Sequence, residues 1–497
     1  MSAPPKTLTF SEMKAHDSEK DCWIAVHSKI YNITEYIPSH PGGSEIILRY
    51  AGTDATAAYD EIHAPQIIEE TLAPEKQIGL LDQSEVVILP EDQKSDIKQI
   101  ERKTDGTMSG DTLPKPELHQ LISVEDFERV AERTLTPKGW AFYSSAAADL
   151  VTHRNNKNYF RRIMLRPRVM RNVSKANTLC NILGFPSSAP FFVSPAAMAK
   201  LADKDGELTL ARGCAREGLT QCISNNASFP LQSIVEAGET AQVFFFQLYV
   251  NAEREKTTQL LHKARDLGVK AIFVTVDAPI PGKREADERL AADTGMSSAI
   301  SGSRASNDKK GGGMGRLMGQ YIDKSLSWED IPWIKETSQL PVVIKGIQCA
   351  ADARLAADYG CQGIFVSNHG GRQLDTAPPS ILTLLELHAI CPDVFEKLEV
   401  YVDGGITRGS DILKALCLGA TAVGIGRPFL YSLIYGLEGV EHLSQLLKDE
   451  LETSMRLCGV TDLSQVSPAL VNTMEIDHLV PRQEKHPWIT WRQRAKL

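Results

Sequence analysis

No apolar run in these 497 residues approaches the roughly 20 positions a helix needs to cross a bilayer, so a membrane-spanning helix is not expected. Concentrated basic charge is missing too. Asp and Glu number 63 against 54 Lys and Arg, and a net charge of −9 argues against nucleic acid as a partner while suiting the docking of a small basic protein. The nine cysteines form no CxxC and no Cys/His cluster at zinc spacing, which excludes a structural zinc reading and leaves reduced thiols. The opening MSAPPKTLTFSEMK has neither an apolar signal core nor an Arg-rich, acid-poor presequence, since acidic residues begin at Glu12; this predicts a cytosolic location.

What is present is the balance of an ordinary globular chain, 42% hydrophobic and 24% charged, long enough for two or more domains. Residues 1–80 read as a small α+β unit: Thr9-Phe10-Ser11-Glu12 opens a short helix, and CWIAVHSKIYNI reads as two strands about a turn. Residues 81–115 are polar, poor in aromatics and without a sustained apolar face, as expected of a flexible linker. From 116 to 497 a second domain follows, starting with helices that include DFERVAERTL.

Beyond Ala189 a short apolar, β-rich run ending in polar or glycine residues recurs eight times, each followed by a helix-like stretch: PFFVSP, TQCISN, VFFFQLY, AIFVTVD, PVVIKG, GIFVSN, EVYVDGG and AVGIGR. Runs apolar on both faces and alternating with helices predict a parallel sheet, and eight such units predict a closed (β/α)8 TIM barrel. The longest interruption, about residues 289–325, contains SGSRASNDKKGGGMG and is expected to be a mobile loop on the rim.

Catalytic groups in such barrels collect where strands end. Here those positions hold Gln247 and Tyr249, Thr275 and Asp277, Lys345, then Ser367, His369 and Arg372, then Asp403-Gly404-Gly405, and finally Gly426-Arg427. Glycines after the last two strands suit an anion cradle, with Arg427 adding a charge. A histidine three residues from an arginine offers a general base beside a carboxylate clamp, and Asp277 can hold the imidazole. Their bland alternatives are a satisfied strand-end histidine and an Arg372–Asp375 ion pair. In the N-terminal unit His40, within HPGG, and His63 lie 23 residues apart and could supply both axial positions of a haem iron.

With the HPGG loop and the Trp23 strand, residues 1–80 resemble a cytochrome b5-like domain, and that resemblance implies haem b with His40 and His63 as ligands. From about Leu121 onward the chain resembles the FMN-dependent 2-hydroxy-acid dehydrogenase and oxidase family. The fusion is similar to the cytochrome-linked L-lactate dehydrogenases of fungi. It implies oxidation of an L-2-hydroxy acid to the 2-oxo acid, with electrons passing from FMN to haem b and on to cytochrome c or a similar acceptor. It also implies a homotetramer, and a mitochondrial intermembrane location as an alternative to the cytosol. By residue it implies His369 as base, Asp277 as its partner, Tyr249 as hydrogen-bond donor to the substrate hydroxyl, and Arg372 and Arg284 as carboxylate contacts. Lys345 would stabilise charge on the flavin, with Pro195, Ala196, Ala197, Ser224, Gln247, Thr275 and Ser367 as further flavin contacts.

Three positions depart from the family pattern. Phe142 stands where a tyrosine usually binds the substrate carboxylate. Asn226, opposite Ala197, stands where relatives commonly carry leucine or tryptophan, and a polar wall points to a polar substituent on the substrate. Thr407 stands where an arginine often meets the FMN phosphate, a loss for which Arg408 and Arg427 are expected to compensate. Two other readings stay open: an oxidase that passes electrons to oxygen, and a haem-binding electron carrier with an inactive barrel.

Overall fold

The computed structural model describes residues 7–40, 44–48, 50–56, 59, 68, 71–82, 115–239, 241–291, 297–304 and 313–483. The chain divides into two compact units, 1–111 and 112–497, each considered by itself. The residues expected to form the linker, apart from 81, 82 and 115, lie outside the described residues, as does His63.

In the N-terminal unit a five-stranded sheet runs in the order Thr7–Leu8, Gln77–Leu81, Lys29–Asn32, Asp21–Val26, Asp17–Ser18. The helix Phe10–Lys14 starts at a capping box in which Thr9 and Glu12 satisfy each other's backbone donors, as the sequence predicts. The turn joining the two strands of CWIAVHSKIYNI has both His27 and Ser28 at positive φ (51° and 63°), the twist that lets adjacent antiparallel strands pair without splaying. Cys22, Ile24, Val26, Tyr31 and Ile33 form an apolar cluster with Ile37 and Ile68. Pairing continues to Leu81, one residue past the expected boundary, because Leu81 pairs in register with Leu8.

The second unit is a closed barrel of eight parallel strands; seven fall within a run named from the sequence, and the eighth, Val342–Ile347, runs one residue past PVVIKG. They are β1 (Phe191–Val193), β2 (Gln221–Ile223), β3 (Phe244–Leu248), β4 (Ala271–Thr275), β5 (Val342–Ile347), β6 (Gly363–Val366), β7 (Glu399–Val402) and β8 (Ala422–Ile425). Closure comes from β8 pairing with β1, Val423 opposite Phe191 and Ile425 opposite Val193. Side-chain alternation splits each run between two cores. Phe192, Phe245, Phe273, Phe365 and Tyr401 meet in the interior with ring centroids 5.2–6.3 Å apart, while their neighbours pack outward against the helices. A hairpin, Cys180–Ile182 with Phe185–Ser187, covers this aromatic layer, and Leu183 donates its backbone N–H to Glu399 at the start of β7. The end of the barrel where strands begin is therefore plugged, and the end where they finish is left for chemistry.

The segment expected to be a mobile rim loop is structured where it is described. Arg289 caps the helix Glu285–Glu288, Ser297 bridges Arg304, and Met314–Met318 is a helix with both terminal methionines buried. The buried Asp287 carboxylate anchors it, accepting from Lys138 Nζ at 2.5 Å and from Gly315 N at 3.1 Å. Composition alone hides such an anchor, since Asp287 lies ahead of the polar text.

Candidate active site

A cavity of about 610 Å³ opens at the strand ends, within the ~300–1,000 Å³ typical of small-molecule sites. His369 follows β6 with φ at 59°, a left-handed conformation that non-glycine residues hold only where the surroundings enforce it. Its backbone N–H donates to Ser367 Oγ at 3.0 Å. Its ring meets Asp277 Oδ1 through Nδ1 at 3.0 Å and lies 3.4 Å from the Tyr249 hydroxyl through Nε2. The Asp277 side chain is shut off from solvent. Burial alone would raise its pKa, but the charge and hydrogen bond of His369, with Lys345 nearby, hold it below the usual carboxylate range. Burial lowers the proton affinity of His369, only partly opposed by Asp277, so the imidazole is neutral near pH 7 and ready to accept a proton. The Tyr249 phenol is pushed up to about 12 by burial and by Asp277, and remains a donor.

Among the cations that line the cavity are Arg284, Arg372, Arg427 and Lys345. Lys345 sits 3.5 Å from Asp403 and 3.1 Å from Ser367 Oγ; burial opposes its charge, but Asp403 and Asp277 outweigh that and raise its pKa. The three guanidinium groups are held otherwise. Arg372 donates to the carbonyls of Phe142, Tyr143 and Ser145 at 2.7–3.0 Å; Arg284 donates to the carbonyl of Arg372 and to Gln373 Oε1; Arg427 meets His153 Nδ1 and the Gly370 carbonyl. Among the described residues none of the three pairs with a carboxylate. Asp375, the alternative partner for Arg372, instead accepts from the backbone N–H groups of Asp149 and Thr152. Burial and mutual repulsion lower the pKa of Arg372, which marks unmet positive charge; the cavity is built for anions.

Most residues singled out from the sequence line this one cavity. Pro195, Ala196, Ala197, Ser224, Gln247 and Thr275 come from the ends of the first four strands, and Asp403, Gly404, Gly405, Gly426 and Arg427 from the last two. Gln247 fixes its neighbours by accepting from Asn225 N at 3.1 Å and donating to Thr275 Oγ1 at 3.0 Å. Gly405, at φ 85°, is also demanded by packing, because a Cβ there would lie 2.3 Å from the backbone of Asn156. The substrate-side candidates Phe142, Asn226, Arg284 and Tyr249 line it as well.

Three candidates do not. Asp277, shut off from solvent, reaches the cavity only through its hydrogen bond to His369. Arg408 faces the outer helix Gly436–Leu457 and pairs with Glu450 at 2.8 Å, so it does not compensate for Thr407, which itself lines the cavity. At the N-cap of the helix Gly409–Cys417 its side chain leaves the strand end and is captured by that carboxylate. Ser367 is buried behind Lys345 and His369, holding both instead of facing the cavity. Several lining residues escaped sequence reading. His153, pushed down to about 4 by burial and by Arg427, enters from the helix Val151–Arg161, and Met318 and Ile322 enter from the supposed rim loop. The basic text THRNNK was the only signal for His153.

Chemically, the cavity offers a neutral base with a fixed tautomer, a phenol donor beside it, and unpaired guanidinium groups. Buried polar atoms without partners, Ser194 Oγ and Asp403 Oδ1, add to this set, which suits a phosphorylated polar cofactor and a carboxylate substrate. Residues 131–473 match the FMN-dependent dehydrogenase family, and residues 9–82 match the cytochrome b5-like haem/steroid-binding domain. The chain belongs to the FMN-dependent dehydrogenase family. It is an oxidoreductase of that family with a fused cytochrome b5-like domain, and its cofactors are FMN and haem. It is 42% identical over 479 residues to an L-lactate dehydrogenase (cytochrome) of Saccharomyces cerevisiae, covering 93% of this chain and 79% of that one. To glycolate oxidase 3 of Arabidopsis thaliana it is 38% identical, over 71% of this chain and 96% of that one. Among solved structures, the flavin-binding domain of baker's yeast flavocytochrome b2 matches with a TM-score of 0.67 at 39% identity, covering 81% of this chain and 96% of that one. In the N-terminal unit His40 is half-buried at the end of the turn Ile37–Ser39, its ring 5.9 Å from that of Tyr36. Its backbone N–H donates to the carbonyl of Ile37, a member of the apolar cluster, at 3.4 Å, a setting that fits a haem ligand.

Proposed function

We propose that this member of the family oxidises an L-2-hydroxy acid of the lactate type to the 2-oxo acid, and that the electrons leave through the haem to cytochrome c. The observation that carries the reading is the His369–Asp277 pair set beside guanidinium groups that, among the described residues, have no carboxylate of their own. Arg372 and Arg284 bind the substrate carboxylate, and Tyr249 donates to the substrate hydroxyl. Nε2 of His369 takes the proton from the substrate, while Asp277 keeps the other ring nitrogen protonated and stabilises the imidazolium that forms. FMN, when bound, supplies acceptance of an electron pair from the α-carbon, and haem supplies one-electron transfer onward. Pro195 to Ala197, Ser224, Gln247, Thr275 and Lys345 would hold the ring system. Gly404, Gly405, Gly426 and Arg427 would hold the phosphate, with His40 and His63 as the haem ligands.

Assembly as a homotetramer belongs to the same reading, and molar mass in solution tests it. A cytochrome c acceptor favours the mitochondrial intermembrane space over the cytosol, which fractionation tests. The deciding experiment mixes the holoenzyme anaerobically with L-lactate and then adds cytochrome c. Bleaching of the flavin band followed by cytochrome c reduction is expected. Stoichiometric peroxide in air with no cytochrome c reduction would make the protein an oxidase instead, and an unchanged flavin band would overturn the reading altogether.

A further inference from the structure

Asn226 is 8% exposed, lines the cavity, and has an amide whose orientation is dictated by its neighbours. The backbone N–H of Tyr249 can only donate, and it donates to Asn225 Oδ1 at 3.3 Å. Asn225 therefore turns its Nδ2 toward the Tyr321 hydroxyl, 3.0 Å away. That hydroxyl, already accepting, has its proton to give, and it reaches Asn226 Oδ1 at 3.2 Å. Ser301 Oγ donates to the same oxygen at 2.7 Å. Both lone pairs of Oδ1 are then used, and Nδ2 has no partner among the described residues. A donor left unmet in a nearly buried wall is a binding group waiting for an acceptor.

The surroundings limit which acceptor fits. Asn225, Ala227, Ser301 and Tyr321 carry no charge, and Ala197, Met318 and Ile322 add apolar surface to the same cavity. The hydrogen-bond partners of Asn226 among the described residues are all neutral, and the cavity's guanidinium groups are assigned to the substrate carboxylate and the cofactor phosphate, so a second anion at this amide would lose hydration for little return, whereas a neutral oxygen loses little and gains a hydrogen bond. A second cavity of about 280 Å³ lies on the other side of Asn225, Tyr249, Ser301 and Tyr321, so this wall is a partition held by its own hydrogen bonds.

We propose that the enzyme selects 2-hydroxy acids whose C3 or C4 bears a neutral oxygen acceptor, bound by Asn226 Nδ2, with Tyr321 as the positioning residue that aims the amide. This rests on the 2-hydroxy-acid reading above. The test compares kcat/KM for L-glycerate against L-lactate and for 2,4-dihydroxybutanoate against 2-hydroxybutanoate, in the holoenzyme and in Asn226→Leu and Tyr321→Phe. At least one oxygenated acid should be favoured about tenfold, carried by KM, and Asn226→Leu should abolish that preference. Tyr321→Phe should weaken it severalfold while leaving the unsubstituted acids unaffected. An alkyl preference in both pairs, or a preference that survives Asn226→Leu, would overturn the proposal. So would a preference for L-malate over both neutral acids. Should no member turn over, the proposed function fails separately. The same ratios are then read as dissociation constants from perturbation of the flavin absorbance, and they decide this assignment by the same criteria.

Discussion

Asp277 and His369 show how two side chains divide one task. In the proposed role of base His369 must be neutral, and burial already lowers its proton affinity while Asp277 partly restores it. Activity therefore falls as pH drops through the His369 pKa, which lies below the usual 6.5. In Asp277→Asn the raising influence is gone, so the acid limb of kcat/KM should move to still lower pH while its plateau drops by about 10²–10⁴-fold. A pH–rate profile whose acid limb stays put or moves upward would contradict the assigned pairing. Phe142 invites the opposite experiment, a gain. Its buried ring lies 5.4 Å from the Arg372 guanidinium and offers that charge a π face but no hydroxyl. A hydrogen bond to a charged group contributes about 1.5–3 kcal/mol, so Phe142→Tyr should lower the KM for L-lactate by roughly tenfold or more with kcat little changed. Steady-state kinetics showing an unaltered KM would remove the carboxylate role from this position.

Single elements explain both what the sequence disclosed and what it concealed. All eight strands were legible because a strand buried on both faces is written as an uninterrupted apolar run, and little else in the chain is. Interior and exterior could not be told apart within those runs, so the aromatic layer of Phe192, Phe245, Phe273, Phe365 and Tyr401 emerges only in the folded barrel. The helix Met314–Met318 was illegible for another reason: glycine- and serine-rich text looks unstructured unless one sees Asp287 and Arg284 waiting for it. Gly315 stands so close to Arg284 that an added Cβ would lie 2.3 Å from Nη1. Gly315→Ala should therefore displace the guanidinium and raise substrate KM several-fold, while thermal stability changes little because only the tip of a side chain has to move. A KM at the native value would show that Arg284 does not hold substrate. Arg408 and Thr407 make the complementary point. Adjacent at a helix start, they face different ways, and pairing to Glu450 rather than sequence position decides which one lies at the cavity.

For the molecule as a whole, the two units divide substrate chemistry from electron export, and that division can be separated by mutation. In His40→Ala the haem bands should be lost while L-lactate still bleaches the flavin, and cytochrome c reduction should fall to background; absorbance spectroscopy reads all three. Retention of a six-coordinate haem spectrum would discard His40 as a ligand. The barrel unit was readable almost completely at this scale, including the gathering of His369, Arg372 and the glycines after the last two strands around one cavity. The N-terminal unit was readable in its strands and its capped helix, while one of its two expected ligands, His63, falls outside the described residues. The plug of five rings and a covering hairpin has a further effect. It turns the barrel into a blind alley with one doorway, so the acid that arrives and the keto acid that departs must use it in turn. Accumulated keto acid should then compete with incoming acid, and the enzyme slows as its own output builds up.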